Sequence, residues 1–322
     1  MSADFGSVTI PAHYKQIPNL DFNALLPHLP RRTFHDEWNV AEAWPAETAA
    51  LVNDVMYATA ALIDRLPNLK VISFAGTGVW DRVDVAHATK RGIAVCNVPG
   101  WGNDSIAEFT FALLLALARK LFTADAVARR PEWKVEGCYG LQLHGKTIGL
   151  IGLGNVGQRV AEIAEGFGLR VLCYTRHPEA PRRTKVSVEF VPLDELLRRS
   201  DILTLHALLT DETRGMIGVR QLDMLPQGAI VINTARGPLI DTAALVAALK
   251  QGRLWGAALD VFDHEPLPEH HPLKDLDNVI LAPHAAGLTD TAAYNLFSRS
   301  LSNADAFAAG DPVNIVNPEV LR

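Results

Sequence analysis

Three glycines, Gly152, Gly154 and Gly157, stand in G-x-G-x-x-G register within "TIGLIGLGNVGQRVAEIAEGFGLRVLCYT". Because glycine has no side chain, the backbone can turn tightly there and approach a bound group closely. The motif directly follows an apolar, strand-like run and directly precedes a helical pattern, whose N-terminus presents amides and the positive end of a dipole. The spacing therefore predicts a pyrophosphate-binding turn for a dinucleotide, which includes Asn155 and Val156.

A second feature lies at the end of the strand that follows this motif. Dinucleotide-binding units usually place an acid about 20 residues after the glycines, where it accepts hydrogen bonds from ribose hydroxyls. Here the position holds Thr175 and Arg176, and Arg182, Arg183 and Lys185 add positive charge nearby. A hydroxyl and a guanidinium can bind a 2′-phosphate that an acid would repel. We therefore favour NADP(H), and NAD(H) stays open because Arg176 could instead stack on adenine.

The elements that position these residues follow from the hydrophobic pattern. Short apolar runs alternate with helical patterns, as in "LKVISFAGTG", "GIAVCNVPG", "KTIGLIGLG", "LRVLCYT", "DILTLHA", "GAIVINTARG", "GAALDVF" and "NVILAPHAAG". This alternation predicts an α/β protein with doubly wound parallel sheets. Long helices open after "NVPGWGND" and after "AAGLTDTAAYN". We expect one domain of residues 1–100 and 289–322, with a cofactor domain of residues 101–288 inserted into it.

Composition excludes several classes of partner. The chain has 322 residues, 48% of them hydrophobic, with a formal charge of -6. Nothing in this balance favours nucleic acid or an anionic membrane. The cysteines Cys96, Cys138 and Cys173 have no CxxC spacing, and we predict packed thiols in a reducing compartment. The start lacks a signal-peptide pattern, and the most apolar segment, "IAEFTFALLLALA", falls short of a bilayer span. These features predict a cytoplasmic protein.

Three more motifs follow the glycine turn in order: "VINTARGPLID", "GAALDVFDHEPLP" and "VILAPHAAG". With "AGTGVWDRVDVAHATKRGIAVCNVPG" before them and the "NPEVL" ending, the chain resembles the D-isomer-specific 2-hydroxyacid dehydrogenases over nearly its whole length. The resemblance implies a Rossmann cofactor domain inserted into a flavodoxin-like substrate domain. It assigns catalysis to Arg236, Glu265 and His284, and the substrate carboxylate to Gly76, Thr77, Gly78 and Val79, as well as to Arg236 and His284. It assigns Asp260 to the nicotinamide end, and further cofactor contacts to Thr234, Ala235, Arg236, His284, Ala286 and Gly287.

The chemistry of the three implied catalytic residues agrees with such a reaction. Reducing a 2-keto acid needs a hydride at the carbonyl carbon, a proton for its oxygen and a cation that holds the carboxylate. Arg236 stays charged and binds planar oxyanions in a fixed fork. His284 can supply the proton, and Glu265 can orient the ring and favour its charged form. Backbone amides of the "GTGV" loop would bind the carboxylate from the other domain, so the reaction is expected in the cleft between domains.

For several other candidate residues the sequence allows two interpretations, a role at the site or a structural role. His206 ends a strand near the expected cofactor, where it either contacts the cofactor or only packs. His264, His270 and His271 share a proline-containing loop, where we expect a solvated turn and no metal site. Trp80, Trp101 and Trp133 either narrow the substrate pocket or pack elsewhere. Trp133 resembles the aromatic residue that approaches the active site across the dimer in glyoxylate and hydroxypyruvate reductases.

The resemblance favours a glyoxylate or hydroxypyruvate reductase that acts on a small 2-keto acid and forms a homodimer. An apolar surplus in the segment from Ser105 through "LFTADAVARR" also indicates a dimer. One alternative is a formate dehydrogenase-like enzyme, although formate oxidation needs no general acid and leaves Glu265 unexplained. Another is a non-enzymatic, cofactor-sensing corepressor-type protein, which would need partner-binding segments that the sequence does not show.

Overall fold

The computed structural model describes residues 5–36, 44–54, 56–182 and 186–322. The chain divides into two compact units. Unit 1 comprises Met1–Gly102 together with Thr289–Arg322, and unit 2 comprises Asn103–Leu288. Unit 2 is therefore an insertion in the chain of unit 1.

Unit 1 is built on a five-stranded sheet. Its strands are β1 (Ser7–Pro11), β2 (Arg32–His35), β3 (Thr48–Asn53), β4 (Val71–Phe74) and β5 (Ala94–Cys96), in the order β2-β1-β3-β4-β5. All neighbouring strands run parallel. Strands β3, β4 and β5 are buried along their whole length, which explains their nearly continuous apolar sequences.

The helices of unit 1 complete its core. They are α1 (Phe22–Leu25), α2 (Ala60–Asp64), α3 (Val85–Lys90) and, from the C-terminal segment, α10 (Asp290–Ala309). Two 3-10 helices span Ala12–Gln16 and Pro318–Leu321. Helix α10 begins at a cap in which Thr289 accepts a hydrogen bond from the Ala292 amide. It buries Leu296, Phe297 and Leu301 against the sheet.

Unit 2 is built on a seven-stranded sheet. Its strands are β6 (Thr147–Ile151), β7 (Arg170–Tyr174), β8 (Glu189–Phe190), β9 (Ile202–Leu205), β10 (Ala229–Asn233), β11 (Leu254–Leu259) and β12 (Val279–Leu281). They lie in the order β12-β11-β10-β9-β6-β7-β8, again all parallel. The helices are α4 (Asn103–Ala118), α5 (Leu121–Ala128), α6 (Asn155–Gly166), α7 (Leu193–Arg199), α8 (Val219–Met224) and α9 (Thr242–Lys250). Short 3-10 helices span Val135–Cys138, Gly237–Leu239 and Pro272–Asp275.

Both sheets reverse their strand order once, and the prediction of two doubly wound parallel sheets is confirmed. In unit 1 the reversal falls between β1 and β3, the flavodoxin-like order, and in unit 2 between β6 and β9, the Rossmann order. We call these places the unit 1 and unit 2 switch points. In sheets of this kind, ligands bind outside the carboxyl ends of the strands at the switch point. Among the described residues, no helix is long and apolar enough to cross a membrane.

Candidate active site

The glycine turn lies at the unit 2 switch point, between β6 and α6. Gly152 has a φ of +97°, and a Cβ there would lie 2.6 Å from the His206 carbonyl oxygen. A Cβ at Gly157 would lie 2.4 Å from the Gly152 carbonyl oxygen, whereas one at Gly154 would meet nothing within 4 Å. The first and third glycines are therefore required by the fold, and the second leaves open space at the N-terminus of α6. Asn155 and Val156 form the first turn of that helix. This cradle of backbone amides fits a pyrophosphate.

The end of β7 is held beside this turn, because the Gly152 amide donates to the Tyr174 carbonyl at 2.9 Å. Thr175 and Arg176 come next in the chain, and Thr175 Oγ1 accepts from the His177 amide at 3.4 Å. Arg176 is half exposed, and its guanidinium donates to Glu212 Oε2. The arginine therefore lies next to the glycine turn along the sheet edge, with a carboxylate partner already in contact.

The other basic residues of this loop are used differently. Arg182 donates to the carbonyl oxygens of His177, Pro178 and Ala180 at 2.6, 2.7 and 2.6 Å. Its guanidinium also lies 4.9 Å from the centroid of the Phe190 ring. Arg182 thus closes the loop on itself. Arg183 and Lys185 lie outside the described residues.

Arg236 stands on a turn that follows β10. Asn233, the last residue of that strand, is buried and clamps the turn: its Nδ2 donates to the Arg236 carbonyl at 2.8 Å, and its Oδ1 accepts from the Ala235 amide at 3.0 Å. Thr234 Oγ1 lies 3.0 Å from Thr110 Oγ1 on α4. The Arg236 side chain donates from Nη1 to the Ala235 carbonyl at 2.9 Å. The guanidinium is therefore carried by a rigid turn at the carboxyl end of the sheet.

Glu265 and His284 are brought together from neighbouring strands. His284 Nδ1 lies 2.9 Å from Glu265 Oε2, although the two residues are 19 positions apart. Glu265 Oε1 accepts from the Phe262 amide at 3.0 Å, so both carboxylate oxygens are engaged. Because a carboxylate only accepts hydrogen bonds, Nδ1 carries a proton toward Glu265. Nε2 is then the ring atom that faces away from this partner.

A buried carboxylate shapes the turn that carries His284. Asp260 is fully buried and accepts from the amides of Ala285 and Ala286 at 2.7 and 2.9 Å. The Asp260 carbonyl also accepts from the His284 amide at 2.8 Å. His284 has a φ of +56°, a left-handed conformation that is unfavourable for a non-glycine residue. The hydrogen bonds to Asp260 hold the His284 backbone in this conformation and so fix the direction of its side chain. Ala286 and Gly287, both buried, complete the turn.

Two groups near the site have shifted pKa values. Desolvation raises the pKa of Asp260, and the hydrogen bonds from the Ala285 and Ala286 amides act in the opposite direction. Desolvation lowers the pKa of His206, so this half-buried ring stays neutral near pH 7. The His206 Nε2 lies 3.0 Å from Thr204 Oγ1, and its amide donates to the Ile151 carbonyl at 2.8 Å. His206 therefore brings a neutral ring and a backbone contact to the unit 2 switch point.

In unit 1, the loop Gly76–Val79 follows β4. The Gly76 carbonyl accepts from the Val98 amide at 2.8 Å, and Thr77 Oγ1 donates to the Val98 carbonyl at 3.1 Å. A Cβ at Gly76 would lie 2.5 Å from the Phe74 ring, so any larger residue would force that buried ring to move. Val79 is buried, whereas Gly78 is partly exposed. The first two residues of the loop are thus hydrogen-bonded to Val98, and its last side chain is buried.

The tryptophans and the histidine-rich loop have separate surroundings. Trp80 and Trp133 are 56% and 72% exposed, whereas Trp101 packs against the core of unit 1. His271 accepts a hydrogen bond from the Leu273 amide at 3.3 Å and caps a 3-10 helix. Within the described ranges, no group of three or more histidines, cysteines or acids could hold a metal ion. A cavity of about 740 Å³ lies beside this loop, but none of the three implied catalytic residues lines it.

Four residues that take part in side-chain hydrogen bonds could not be identified from the sequence. Asn233 was hidden in the strand-like run "GAIVIN", although a polar residue at the end of a buried strand is a signal for a clamped turn. Glu212 and the pair of His13 with Asp54 depend on contacts between residues 36 and 41 positions apart. Local sequence patterns carry no information about such contacts.

The chain is similar to known proteins in both sequence and fold. Residues 111–286 match the model of the family described as "D-isomer specific 2-hydroxyacid dehydrogenase, NAD binding domain". A glyoxylate reductase of Aeropyrum pernix is 42% identical over 269 residues, which is 81% of this chain and 80% of the relative. The crystal structure of a glyoxylate reductase from Paecilomyes thermophila has a TM-score of 0.84 at 26% identity, and covers 98% of this chain and 99% of that one.

A second solved structure, an acyclic imino acid reductase in complex with NADPH and D-Arg, has a TM-score of 0.82 at 29% identity. The aligned region covers 96% of this chain and 99% of the reductase chain. The family resemblance of the ordered motifs is thereby confirmed. The chain belongs to the D-isomer-specific 2-hydroxyacid dehydrogenase family and is an NAD(P)-dependent enzyme of that family.

Proposed function

We propose that the protein reduces a small 2-keto acid of the glyoxylate or hydroxypyruvate kind with NADPH, and so forms the D-2-hydroxy acid. The observation that carries the proposal is the contact of His284 Nδ1 with Glu265 Oε2 at 2.9 Å. It leaves Nε2 to give a proton to a carbonyl oxygen. The similarity to relatives named glyoxylate reductase supports the choice of a short keto acid.

The proposed roles divide the reaction among groups of this chain. A bound nicotinamide cofactor supplies the hydride that the keto carbon accepts. The guanidinium of Arg236 binds the substrate carboxylate and polarises the carbonyl. The imidazolium of His284 donates the Nε2 proton to the carbonyl oxygen, and Glu265 stabilises that imidazolium. The keto carbon gains the hydride and the carbonyl oxygen gains the proton, so the keto group becomes a neutral hydroxyl group.

Unit 1 and unit 2 have different proposed roles. The loop Gly76–Val79 of unit 1 binds the substrate carboxylate through backbone amides, and unit 1 is accordingly the substrate domain. Unit 2 is the cofactor domain, in which the glycine turn binds the pyrophosphate and the residues around Asp260 and Ala286 lie at the nicotinamide end. His206 contributes a neutral ring at the unit 2 switch point.

The preference for NADPH rests on Arg176. It stands at the end of β7, where an acid would otherwise select for NAD. Its present partner, Glu212, is 73% exposed, so the pair is readily exchanged for a phosphate contact. A 2′-phosphate carries more charge than one carboxylate and offers several acceptor oxygens, which favours the exchange.

A homodimer is proposed from the surface of unit 2. Helix α5 and the segment that follows it expose five large apolar side chains, each more than half exposed: Leu121, Phe122, Trp133, Val135 and Tyr139. An apolar patch of this kind marks a protein interface. Sedimentation at micromolar concentration should give twice the monomer mass, and a mass of one chain would refute the proposal. A reducing, cytoplasmic compartment is proposed on the buried thiols of Cys96 and Cys173.

A kinetic screen tests the function. Glyoxylate, hydroxypyruvate, pyruvate and bulkier 2-keto acids are each offered with NADPH and with NADH. We expect the highest kcat/KM for a two- or three-carbon acid with NADPH. His284→Ala should lower kcat by roughly a hundredfold to ten-thousandfold, the usual contribution of a general acid, while NADPH still binds at the glycine turn. An enzyme that reduces none of these acids would refute the proposal.

The two rival functions fit the site less well. Formate oxidation releases carbon dioxide and requires no proton donor, so the fixed Glu265–His284 pair would have no task in it. A purely sensing protein would need no such pair either. NADP-dependent formate turnover, or unchanged activity of His284→Ala, would favour these rivals.

A further inference from the structure

A second imidazole–carboxylate pair lies at the unit 1 switch point. His13 follows β1 and Asp54 follows β3, the two strands between which the strand order reverses. His13 Nε2 lies 3.1 Å from Asp54 Oδ2, although the residues are 41 positions apart. Because small ligands bind at the carboxyl ends of strands at this point of a doubly wound sheet, the pair occupies a ligand-binding position of unit 1.

The pair is held firmly and is only partly accessible. The His13 ring packs edge-on against Tyr14 and Phe297, with centroid distances of 5.0 and 5.7 Å. Tyr14 is itself buried, and its hydroxyl lies 3.2 Å from Ser300 Oγ on α10. The side chains of His13 and Asp54 are 35% and 17% exposed. The carboxylate is therefore partly desolvated but still reachable by a small molecule.

The register of the sheet puts Asp54 next to the loop proposed to bind the substrate carboxylate. Asn53 pairs with Phe74 in neighbouring strands, and the Asn53 carbonyl accepts from the Ala75 amide at 2.7 Å. Asp54 therefore lies one strand, about 4.8 Å, from the segment that leads into Gly76. A substrate whose carboxylate is held at Gly76–Val79 has its third carbon two covalent bonds away, within reach of Asp54.

The neighbouring side chain contains a second hydrogen-bond acceptor at this strand end. Asn53 is fully buried, and its Nδ2 donates to the Met56 carbonyl at 3.1 Å. Its Oδ1 is buried with no hydrogen-bond partner among the described residues. The end of β3 thus holds two hydrogen-bond acceptors, the partly exposed carboxylate of Asp54 and the buried amide oxygen of Asn53.

We propose that Asp54, positioned by His13, selects 2-keto acids whose third carbon carries a hydrogen-bond donor, with the hydroxyl of hydroxypyruvate as the simplest example. This inference rests on the proposed function and names its substrate class. A carboxylate only accepts hydrogen bonds, so a hydroxyl or ammonium substituent fits beside it. A methyl group would remove water from the carboxylate without replacing the lost hydrogen bond. A second acidic group on the substrate would be repelled.

The test compares hydroxypyruvate with pyruvate, which differ in this hydroxyl alone. In the wild-type enzyme with NADPH, kcat/KM for hydroxypyruvate should exceed that for pyruvate by roughly a hundredfold or more. Asp54→Leu has a side chain of similar size without acceptors, and it should lower this ratio at least tenfold. Asp54→Asn keeps one acceptor oxygen and should lower it by a smaller factor, at least threefold. If circular dichroism shows that Asp54→Leu is unfolded, the ratio of Asp54→Asn decides.

Asp64→Leu is the matched control. Asp64 also pairs with a histidine of unit 1, His87, at 2.9 Å, but it lies on α2 and not at the switch point. In Asp64→Leu the ratio of kcat/KM for hydroxypyruvate to that for pyruvate should equal the wild-type ratio. An unchanged ratio in folded Asp54 variants, or an equal change in Asp64→Leu, would overturn the inference while glyoxylate reduction still supported the function. Failure of the wild type to reduce any 2-keto acid would refute both.

Discussion

The two switch points have the same topology, but one is lined by backbone and the other by side chains. In unit 2 the crevice between β6 and β9 is formed by backbone, since Gly152 and Gly157 leave no room for side chains. In unit 1 the crevice between β1 and β3 is formed by the side chains of His13 and Asp54. Bare amides suit a phosphate group whose charge is fixed. Side chains suit discrimination among small molecules that differ by one functional group. The topology selects the place for a ligand, and the residues there select its kind.

The two imidazole–carboxylate pairs differ in how they are held. His284 lies 2.9 Å from Glu265 and has a left-handed backbone that hydrogen bonds to Asp260 maintain. His13 lies 3.1 Å from Asp54 in a 3-10 helix and is held by aromatic packing. Backbone strain at a histidine is kept only where surrounding structure enforces it, and it clusters at functional sites. This difference agrees with a proton-donating role for His284 and a positioning role for His13.

The largest effect is expected from a substitution that adds a side chain to the backbone surface at the unit 2 switch point. Gly154 has a φ of -69°, and an added Cβ would meet nothing within 4 Å, so Gly154→Ala should fold normally. The methyl group would nevertheless occupy the space into which a pyrophosphate approaches. Losing about two charge-assisted hydrogen bonds should weaken the binding of NADPH and NADH alike by roughly a hundredfold or more.

Gly166→Ala is the control for that variant. It lies in the same helix, also with open space around an added Cβ, and alanine favours helix. Cofactor titration followed by fluorescence should give wild-type dissociation constants for Gly166→Ala. Wild-type affinity in Gly154→Ala would mean that the cofactor does not approach this turn.

The next effect concerns the neighbour of that crevice, Arg176. Arg176→Ala should raise the KM for NADPH by about tenfold to a hundredfold, the value of one charge-assisted phosphate contact. NADH kinetics should stay nearly unchanged, because NADH has no 2′-phosphate. Glu212→Gln sharpens the test: it removes the competing carboxylate, and should lower the KM for NADPH. Equal losses with both cofactors in Arg176→Ala would show that the arginine stacks on adenine or supports folding.

Much of this architecture could be predicted from local sequence patterns. Strands β4 to β7 and β9 to β12 coincide with apolar runs, because parallel strands covered on both faces need apolar residues throughout. The edge strands β2 and β8 gave no such signal, since they are short and partly exposed. The glycine turn was predictable because its requirements are local. The contact of Arg176 with Glu212 and that of His13 with Asp54 were not, because they arise only when distant strands pair.

The smallest effect is expected when the carboxylate of each imidazole–carboxylate pair is replaced by a neutral amide and the pH dependence of kcat/KM is measured. Reduction requires the imidazolium form of His284, so kcat/KM should be high at low pH and fall as the pH rises. Glu265→Gln keeps the shape but removes a negative charge that favours the imidazolium. The midpoint of the fall should therefore move to lower pH. Because the two side chains are 43% and 27% exposed, solvent screens the pair, and we expect only a small move.

The same substitution at the other pair completes the comparison. Asp54→Asn removes a negative charge beside His13, which donates no proton in the proposed reaction. Because Asp54 is proposed to contact the substrate and not the His284 ring, the midpoint should move less than in Glu265→Gln, even where the substrate preference changes. The profiles are measured with NADPH at saturation and with a substrate for which a deuterium isotope effect shows that hydride transfer limits the rate. A midpoint that moves upward in Glu265→Gln, or that moves equally in both variants, would mean that Glu265 does not support the proton donor. In that case the 2.9 Å contact between Glu265 and His284 would serve the loop alone.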